Sequence, residues 1–82
     1  MLLFFYGQEC SHCHVMMPLV EKLEKEANVK FEKNEIWHNE NNESIFNGYA
    51  KNLCPGVPFF FNTENGKFIC GESSYEELKA II

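Results

Sequence analysis

The sequence predicts an α/β fold in which a four-stranded mixed sheet carries helices on both faces, in the order βαβαββα. Short apolar runs that suit strands alternate with longer segments in which apolar residues recur every three or four positions. Strands separated by helices favour parallel pairing, and Asn65-Gly66 predicts an antiparallel hairpin between the last two strands. The 82 residues make one domain, residues 1–82, with no room for a second core.

The first half of the chain predicts a strand, a helix and a second strand. Leu2–Tyr6 is an apolar run ended by a glycine, which suits a strand buried on both faces. In Ser11–Ala27 an apolar stripe faces a charged side, and Pro18 inside this helix is expected to kink it. Asn28 is a suitable stop for the helix, and Val29–Ile36 then alternates as a strand does.

The second half predicts a helix, a hairpin and a closing helix. The inner face of the first of these helices is predicted to hold five apolar residues: Ile45, Phe46, Tyr49, Ala50 and Leu53. This helix must end before Pro55, and Val57–Phe61 and Lys67–Cys70 are the strands of the hairpin. Ser74 and Glu77 form a capping box that starts the closing helix.

Composition and charge exclude several classes of protein. The chain is 45% hydrophobic and 15% aromatic, which is too apolar for a disordered segment. A formal net charge of −5 argues against a nucleic-acid partner, which requires a basic face. The apolar stretches are too short for a membrane span or a secretory leader. We therefore expect a cytoplasmic monomer that binds neither nucleic acid nor membrane.

The segment Cys10-Ser11-His12-Cys13 lies where the first strand passes into the first helix. Side chains three residues apart on a helix are close enough for their sulfurs to bond. A sulfur at a helix start faces unpaired N–H groups and the positive end of the helix dipole, which stabilise a thiolate. We expect Cys10 to be the nucleophile and Cys13, one turn further in, to be the resolving thiol. A lone CxxC pair is also compatible with an inert or metal-binding role.

The two residues between the cysteines are expected to tune this pair. A protonated or hydrogen-bonding His12 favours the Cys10 thiolate, and a stabilised reduced form makes the pair a stronger oxidant. Ser11 shares this tuning position. The alternative is that His12 is a solvated residue of the first turn, and His14 is expected at the surface.

These features resemble the thioredoxin-like superfamily, at a size similar to the small glutaredoxins. Cys10 and Cys13 match the redox pair of that family. Pro18 matches the helix-kinking proline of thioredoxins, and Val57-Pro58 matches the dipeptide that carries the family's cis-proline. The resemblance extends over the whole chain through the order of the elements.

The resemblance implies a function for the Val57-Pro58 dipeptide. It implies a cis peptide bond before Pro58 and a position beside the redox pair, where the proline crowds the thiols and discourages metal capture. It also implies that the backbone of Val57 binds an extended substrate chain, as in a short added strand. The implied activity requires no cofactor and no metal.

The chain departs from the family at other positions. Glu9 and Ser11-His12 replace the Trp and the Gly-Pro of the thioredoxin motif, and a His before the second cysteine is more similar to disulfide isomerases and periplasmic oxidases. Gly7 stands where glutaredoxins usually have Lys. Residues 70–73 replace their Gly-Gly-x-Asp glutathione site, so glutathione is a possible rather than an obligatory partner.

Proton transfer at the second cysteine is a further departure. Phe4 occupies the place of the family's buried acid on the first strand. Transfer to or from Cys13 would therefore need another group, and Lys33 and Glu35 are the candidates.

Three residues outside the pair are open to more than one interpretation. Cys54, before the Val57-Pro58 turn, is either a regulatory thiol or a small buried apolar residue, and burial is favoured for both Cys54 and Cys70. Trp37 is expected to be partly buried against the sheet, although a surface aromatic there would help to hold a partner protein.

The predicted function is thiol–disulfide exchange with protein disulfides through a mixed-disulfide intermediate. The partners would be protein disulfide substrates and a thiol reductant or reductase, and the direction of exchange stays open. One alternative is a metal-binding module using Cys10 and Cys13 with Cys54 and either His12 or His14. The other alternative is a redox-silent adaptor that shares only the fold.

Overall fold

The computed structural model of the protein describes residues 1–82, and its seven elements follow the predicted order βαβαββα. The strands are β1 (Leu2–Tyr6), β2 (Phe31–Glu35), β3 (Phe59–Asn62) and β4 (Phe68–Cys70). The helices are α1 (Ser11–Ala27), α2 (Glu40–Ala50) and α3 (Tyr75–Lys79). The α/β prediction is confirmed.

The four strands form one mixed sheet in the order β2-β1-β3-β4. β1 and β2 are parallel, with Leu2 opposite Phe31. β3 is antiparallel to β1, with Phe5 opposite Phe59, and β4 is antiparallel to β3, with Phe59 opposite Cys70. The end of β1, the start of β3 and the end of β4 therefore meet at one edge of the sheet, and this edge carries the candidate site.

The two faces of the sheet carry separate apolar clusters, because successive strand residues point to opposite sides. One face packs against α1 and α3 through the cluster Leu2, Phe4, Met16, Val20, Leu23, Phe31, Phe60, Leu78 and Ile81. The other packs against α2 through the cluster Leu3, Phe5, Ile36, Phe46, Ala50, Cys54 and Phe59. Helices therefore cover both faces, as predicted.

The ends of the elements follow the predicted local chemistry. Asn28 adopts the left-handed conformation (φ 53°) and its N–H bonds the Glu24 carbonyl, which ends α1. Ser74 and Glu77 form the complete capping box at α3. Pro18 lies inside α1, which continues past it.

Several predicted boundaries were too wide. β2 does not include residues 29 and 30, and β3 begins only after the proline at position 58. In α2 only Phe46 and Ala50 are buried, whereas Ile45, Tyr49 and Leu53 are exposed. Leu53 lies in the turn that follows the helix, because α2 has already ended at Ala50. The predicted inner face was therefore broader than the face that meets the sheet.

Candidate active site

Cys10 and Cys13 form a disulfide at the start of α1, with their Cα atoms 5.2 Å apart. Cys10 is the N-cap residue, in extended conformation, and its Sγ accepts a hydrogen bond from the Cys13 N–H at 3.2 Å. A cysteine sulfur thus replaces the oxygen that usually caps a helix. The same N–H would stabilise a Cys10 thiolate when the pair is reduced.

Burial distinguishes the two sulfur positions. Cys13 is fully buried, whereas Cys10 is 6% exposed. Of the two residues, only Cys10 therefore offers any surface to a substrate sulfur. This asymmetry agrees with the predicted order of attack, in which Cys10 meets the substrate first.

The Val57–Pro58 peptide bond is cis, as the resemblance implied. The Cys10 Sγ lies 3.9 Å from the Val57 carbonyl oxygen. Pro58 is buried, while Val57 is partly exposed and donates no backbone hydrogen bond of its own. The backbone of Val57, whose N–H donates no hydrogen bond, therefore lies beside the sulfur of Cys10.

The turn that precedes Cys10 is held by hydrogen bonds from three sides. The Cys10 N–H bonds the Gly7 carbonyl at 3.0 Å. The Gln8 carbonyl oxygen lies 2.6 Å from His14 Nε2, and the Gln8 N–H donates to the Glu35 carboxylate at 2.9 Å. These bonds fix the position of the N-cap sulfur relative to the helix.

Glu35 organises the loop that follows β2. Its carboxylate accepts hydrogen bonds from the backbone N–H groups of Gln8, Trp37 and His38. Desolvation raises the pKa of Glu35, but these three donors outweigh it and hold the pKa below its ordinary value. The residue therefore stays ionised and joins the β2 loop to the turn before Cys10.

Glu9 and His38 form an ion pair next to the nucleophile position. His38 Nε2 lies 2.7 Å from a Glu9 oxygen, and the hydrogen bond and charge of Glu9 raise the pKa of His38 above 6.5. The ligand atoms of Glu9, Glu35 and His38 all lie within 4.8 Å of one another. This set has the donor types of a metal site, but the ion pair and the three amides bound to Glu35 account for its geometry.

Trp37 covers the backbone of Gly7. A Cβ atom at Gly7 would overlap the Trp37 ring, so the position cannot carry a side chain without displacing the indole. Trp37 itself is 51% exposed. The expectation that Trp37 is partly buried against the sheet was therefore wrong, because its ring lies over the turn before Cys10 and stays largely exposed.

His12 and Ser11 are both exposed in the first turn of α1. His12 Nδ1 lies 3.4 Å from a Glu72 carboxylate oxygen, so the loop between β4 and α3 reaches the helix start. His14 is exposed, as expected.

The candidates for proton transfer to Cys13 are engaged elsewhere. Lys33 Nζ bonds Glu24 Oε2 at 2.9 Å, and the Glu35 oxygens accept the three amides already described. Phe4 is fully buried and has no group that could carry a proton. No side-chain hydrogen bond joins Lys33 or Glu35 to Cys13, so neither assignment is supported.

Cys54 and Cys70 form a second disulfide, with their Cα atoms 5.5 Å apart. This corrects the interpretation of both residues as separate thiols or small buried apolar groups. Cys54 is buried, but Cys70 is exposed at the end of β4. The chain has no free cysteine.

The cysteines named for the metal-binding alternative are paired as disulfides in this structure. Cys54 is bonded to Cys70 and Cys10 to Cys13. The residues whose ligand atoms do come together in this structure are Glu9, Glu35 and His38, and none of them belongs to the proposed module.

None of the helices combines the length and the apolar character that a bilayer crossing requires.

Comparisons with known proteins identify the fold. No protein-family model and no curated protein sequence matches the chain. Solved structures do match. A mutant thioredoxin from Halobacterium salinarum NRC-1 has a TM-score of 0.77 at 24% identity, over 99% of this chain and 69% of that chain. Thioredoxin 1 from Thermosipho africanus TCF52B has a TM-score of 0.71 at 22% identity, over 98% and 86%. The protein has the thioredoxin-like fold.

Proposed function

We propose that the protein is a thiol–disulfide oxidoreductase that exchanges the Cys10–Cys13 pair with protein disulfides. The observation that carries this proposal is the N-cap position of Cys10, whose sulfur accepts the Cys13 N–H and is the more exposed of the two. The thioredoxin-like fold and the cis-proline beside the pair support it.

The exchange proceeds in two displacements. The Cys10 thiolate attacks one sulfur of a substrate disulfide, a mixed disulfide forms, and the other substrate sulfur leaves with the electron pair and takes a proton. The Cys13 thiol then loses its proton and attacks the Cys10 sulfur. The remaining substrate sulfur leaves as a thiolate, the substrate is reduced and the Cys10–Cys13 disulfide is restored. Reversal of the same steps oxidises a substrate dithiol.

Val57 and Pro58 are assigned to substrate binding. The carbonyl of Val57 near the Cys10 sulfur, and its N–H that bonds no other backbone group, offer one acceptor and one donor to an extended chain. An extended segment there would bring its disulfide next to Cys10. Protein disulfides with extended flanking residues are therefore the proposed substrates.

Ser11 and His12 are assigned to redox tuning. Both lie in the first turn, where a positive or hydrogen-bonding group stabilises the Cys10 thiolate and thus the reduced form. Replacement of His12 by Pro should make the pair more reducing. An unchanged equilibrium with glutathione in His12→Pro would remove this role.

The remaining assignments concern partners, compartment and assembly. A thiol reductant or reductase would regenerate the dithiol, and glutathione is one possible source of electrons. We propose a cytoplasmic monomer, in which case the Cys10–Cys13 pair should be reduced by the glutathione pool. A redox titration of the purified protein measures whether glutathione can reduce the pair. Sedimentation measures whether the protein is a monomer.

A trapping experiment tests the function. Cys13→Ser retains the attacking sulfur but not the resolving one, so it should accumulate mixed disulfides with a peptide disulfide. Cys10→Ser is the matched control and should form none. Release of substrate by Cys13→Ser as fast as by the wild type would contradict the assigned roles.

A further inference from the structure

The Cys54–Cys70 disulfide joins two segments that both border the active site. Cys54 begins the loop that leads to Val57 and Pro58, and Cys70 ends β4 opposite Phe59. Because β4 ends at the same edge of the sheet as the cis-proline, this disulfide bears on the substrate-binding backbone and not only on the core.

Both ends of the loop are held by consecutive residues of β4 and its continuation. The Cys54 sulfur bonds the Cys70 sulfur, and the Pro58 carbonyl accepts the Gly71 N–H at 2.8 Å. Between these anchors, Gly56 and Val57 donate no backbone hydrogen bond. The Cys54 N–H also bonds the Ala50 carbonyl, and Val57 packs against the apolar cluster under α2, so the disulfide is one of the few contacts that hold Val57 near Cys10.

The two sulfurs of this disulfide differ in access. Cys54 is 8% exposed whereas Cys70 is an exposed residue, so the Cys70 side of the bond offers the wider approach to an incoming thiolate. The Cys54 Sγ lies 3.1 Å from the Gly56 carbonyl oxygen, an acceptor for a thiol proton at that position. Attack at Cys70 with Cys54 as the leaving sulfur thus has both an open approach and a partner for the product.

We propose that Cys54–Cys70 is a second thiol–disulfide exchange site, opened by a small monothiol such as glutathione, and that its opening releases the Val57 loop and weakens the binding of peptide substrates. A glutathione thiolate attacks the Cys70 sulfur, the Cys54–Cys70 bond breaks, and Cys54 takes the electron pair and a proton from solvent. A second glutathione attacks the glutathione sulfur of the mixed disulfide, which leaves Cys70 reduced and releases oxidised glutathione.

A variant that lacks the Cys10–Cys13 pair tests the chemistry of the Cys54–Cys70 disulfide alone. In Cys10→Ser/Cys13→Ser, incubation with reduced glutathione followed by alkylation and peptide mapping should show a free thiol at Cys54, with glutathione attached to Cys70 at early times and a free thiol there later. A disulfide that opens only in denaturant, or an adduct on Cys54, would overturn the proposal.

The effect on the active site rests on the proposed function and needs a second measurement. Cys54→Ser/Cys70→Ser should exchange with a peptide disulfide about tenfold more slowly than the wild type, which corresponds to the loss of one or two backbone hydrogen bonds to substrate. Exchange with hydroxyethyl disulfide, which has no peptide backbone to bind, should be unchanged. Equal rates for both substrates in variant and wild type would contradict the coupling.

Two controls separate the possible failures. If Cys54→Ser/Cys70→Ser does not fold, Cys10→Ser/Cys13→Ser replaces it. The hydrogen-exchange protection of the Gly71 N–H is then compared before and after treatment with glutathione, and unchanged protection contradicts release of the loop. If the wild type reduces neither substrate, the proposed function fails, while the adduct on Cys70 still decides the second site.

Discussion

The two disulfides of this protein are formed by different kinds of geometry. Cys10–Cys13 closes one helical turn, with a sequence separation of 3, and its first sulfur caps the helix. Cys54–Cys70 closes a separation of 16 and ties a loop to the end of a strand. The first is placed by local backbone structure and the second by the topology of the sheet.

This difference has consequences for chemistry and for stability. The amides of α1 stabilise a thiolate at Cys10, whereas the second disulfide has no helix start beside either sulfur. The second disulfide closes the longer loop and so constrains the unfolded chain more. We therefore expect the first pair to dominate exchange activity and the second to contribute more to the free energy of unfolding.

The largest expected effect is on stability. Loop-closure entropy assigns about 3 kcal/mol to the Cys54–Cys70 loop and about 2 kcal/mol to the Cys10–Cys13 loop. Cys54→Ser/Cys70→Ser should therefore lower the free energy of unfolding of the oxidised protein more than Cys10→Ser/Cys13→Ser does. Urea denaturation of both variants measures the difference. The opposite ranking would contradict the claim that the longer closed loop contributes more to stability.

A second prediction concerns the turn before Cys10, where no disulfide acts. Gly7→Ala should lower the free energy of unfolding by about 1–3 kcal/mol, because the added methyl group displaces the Trp37 ring. Trp37 fluorescence reports the displacement. In a Trp37→Ala background the same change should cost far less, and an equal cost in both backgrounds would show that the indole is not the cause.

The smallest expected effect lies along the body of α1, away from both disulfides. Burial raises the pKa of Glu24, but hydrogen bonds from Lys33 and from the Phe31 N–H outweigh it, so the pKa lies below 4.5. Glu24→Gln should lower the free energy of unfolding by at most about 1 kcal/mol at neutral pH, after allowance for solvent screening.

The sign of this pH dependence follows from linkage. A carboxylate with a depressed pKa stabilises the fold above its unfolded value, and the contribution is lost as the pH falls through the folded value. The difference between wild type and Glu24→Gln should therefore shrink below pH 4.5. Glu21→Gln, at an exposed position of α1 with no ion pair, is the matched control, and an equal pH dependence there would contradict the assignment.

The comparison also explains how much could be predicted from the sequence. The order of elements, the capping box and the position of Cys10 and Cys13 follow from local patterns, which the printed sequence contains. The cis geometry before Pro58 came from the resemblance, and the structure confirms it.

The second disulfide could not be predicted in the same way. Cys70 lies opposite Phe59 in the hairpin, so strand register alone does not bring it to Cys54. The pairing requires the loop from Cys54 to Pro58 to return along the sheet edge. The contact of Trp37 with Gly7 likewise depends on how the loop after β2 folds back over the turn before Cys10.

The most direct test of the account is alkylation of the fully reduced protein at mildly acidic pH, followed by peptide mapping. Iodoacetamide reacts with thiolates, and the amide at the start of α1 favours the thiolate of Cys10. We expect rapid modification of Cys10 while Cys13 stays unmodified. Equal rates at the two residues, or faster modification of Cys13, would contradict the assignment of Cys10 as the nucleophile.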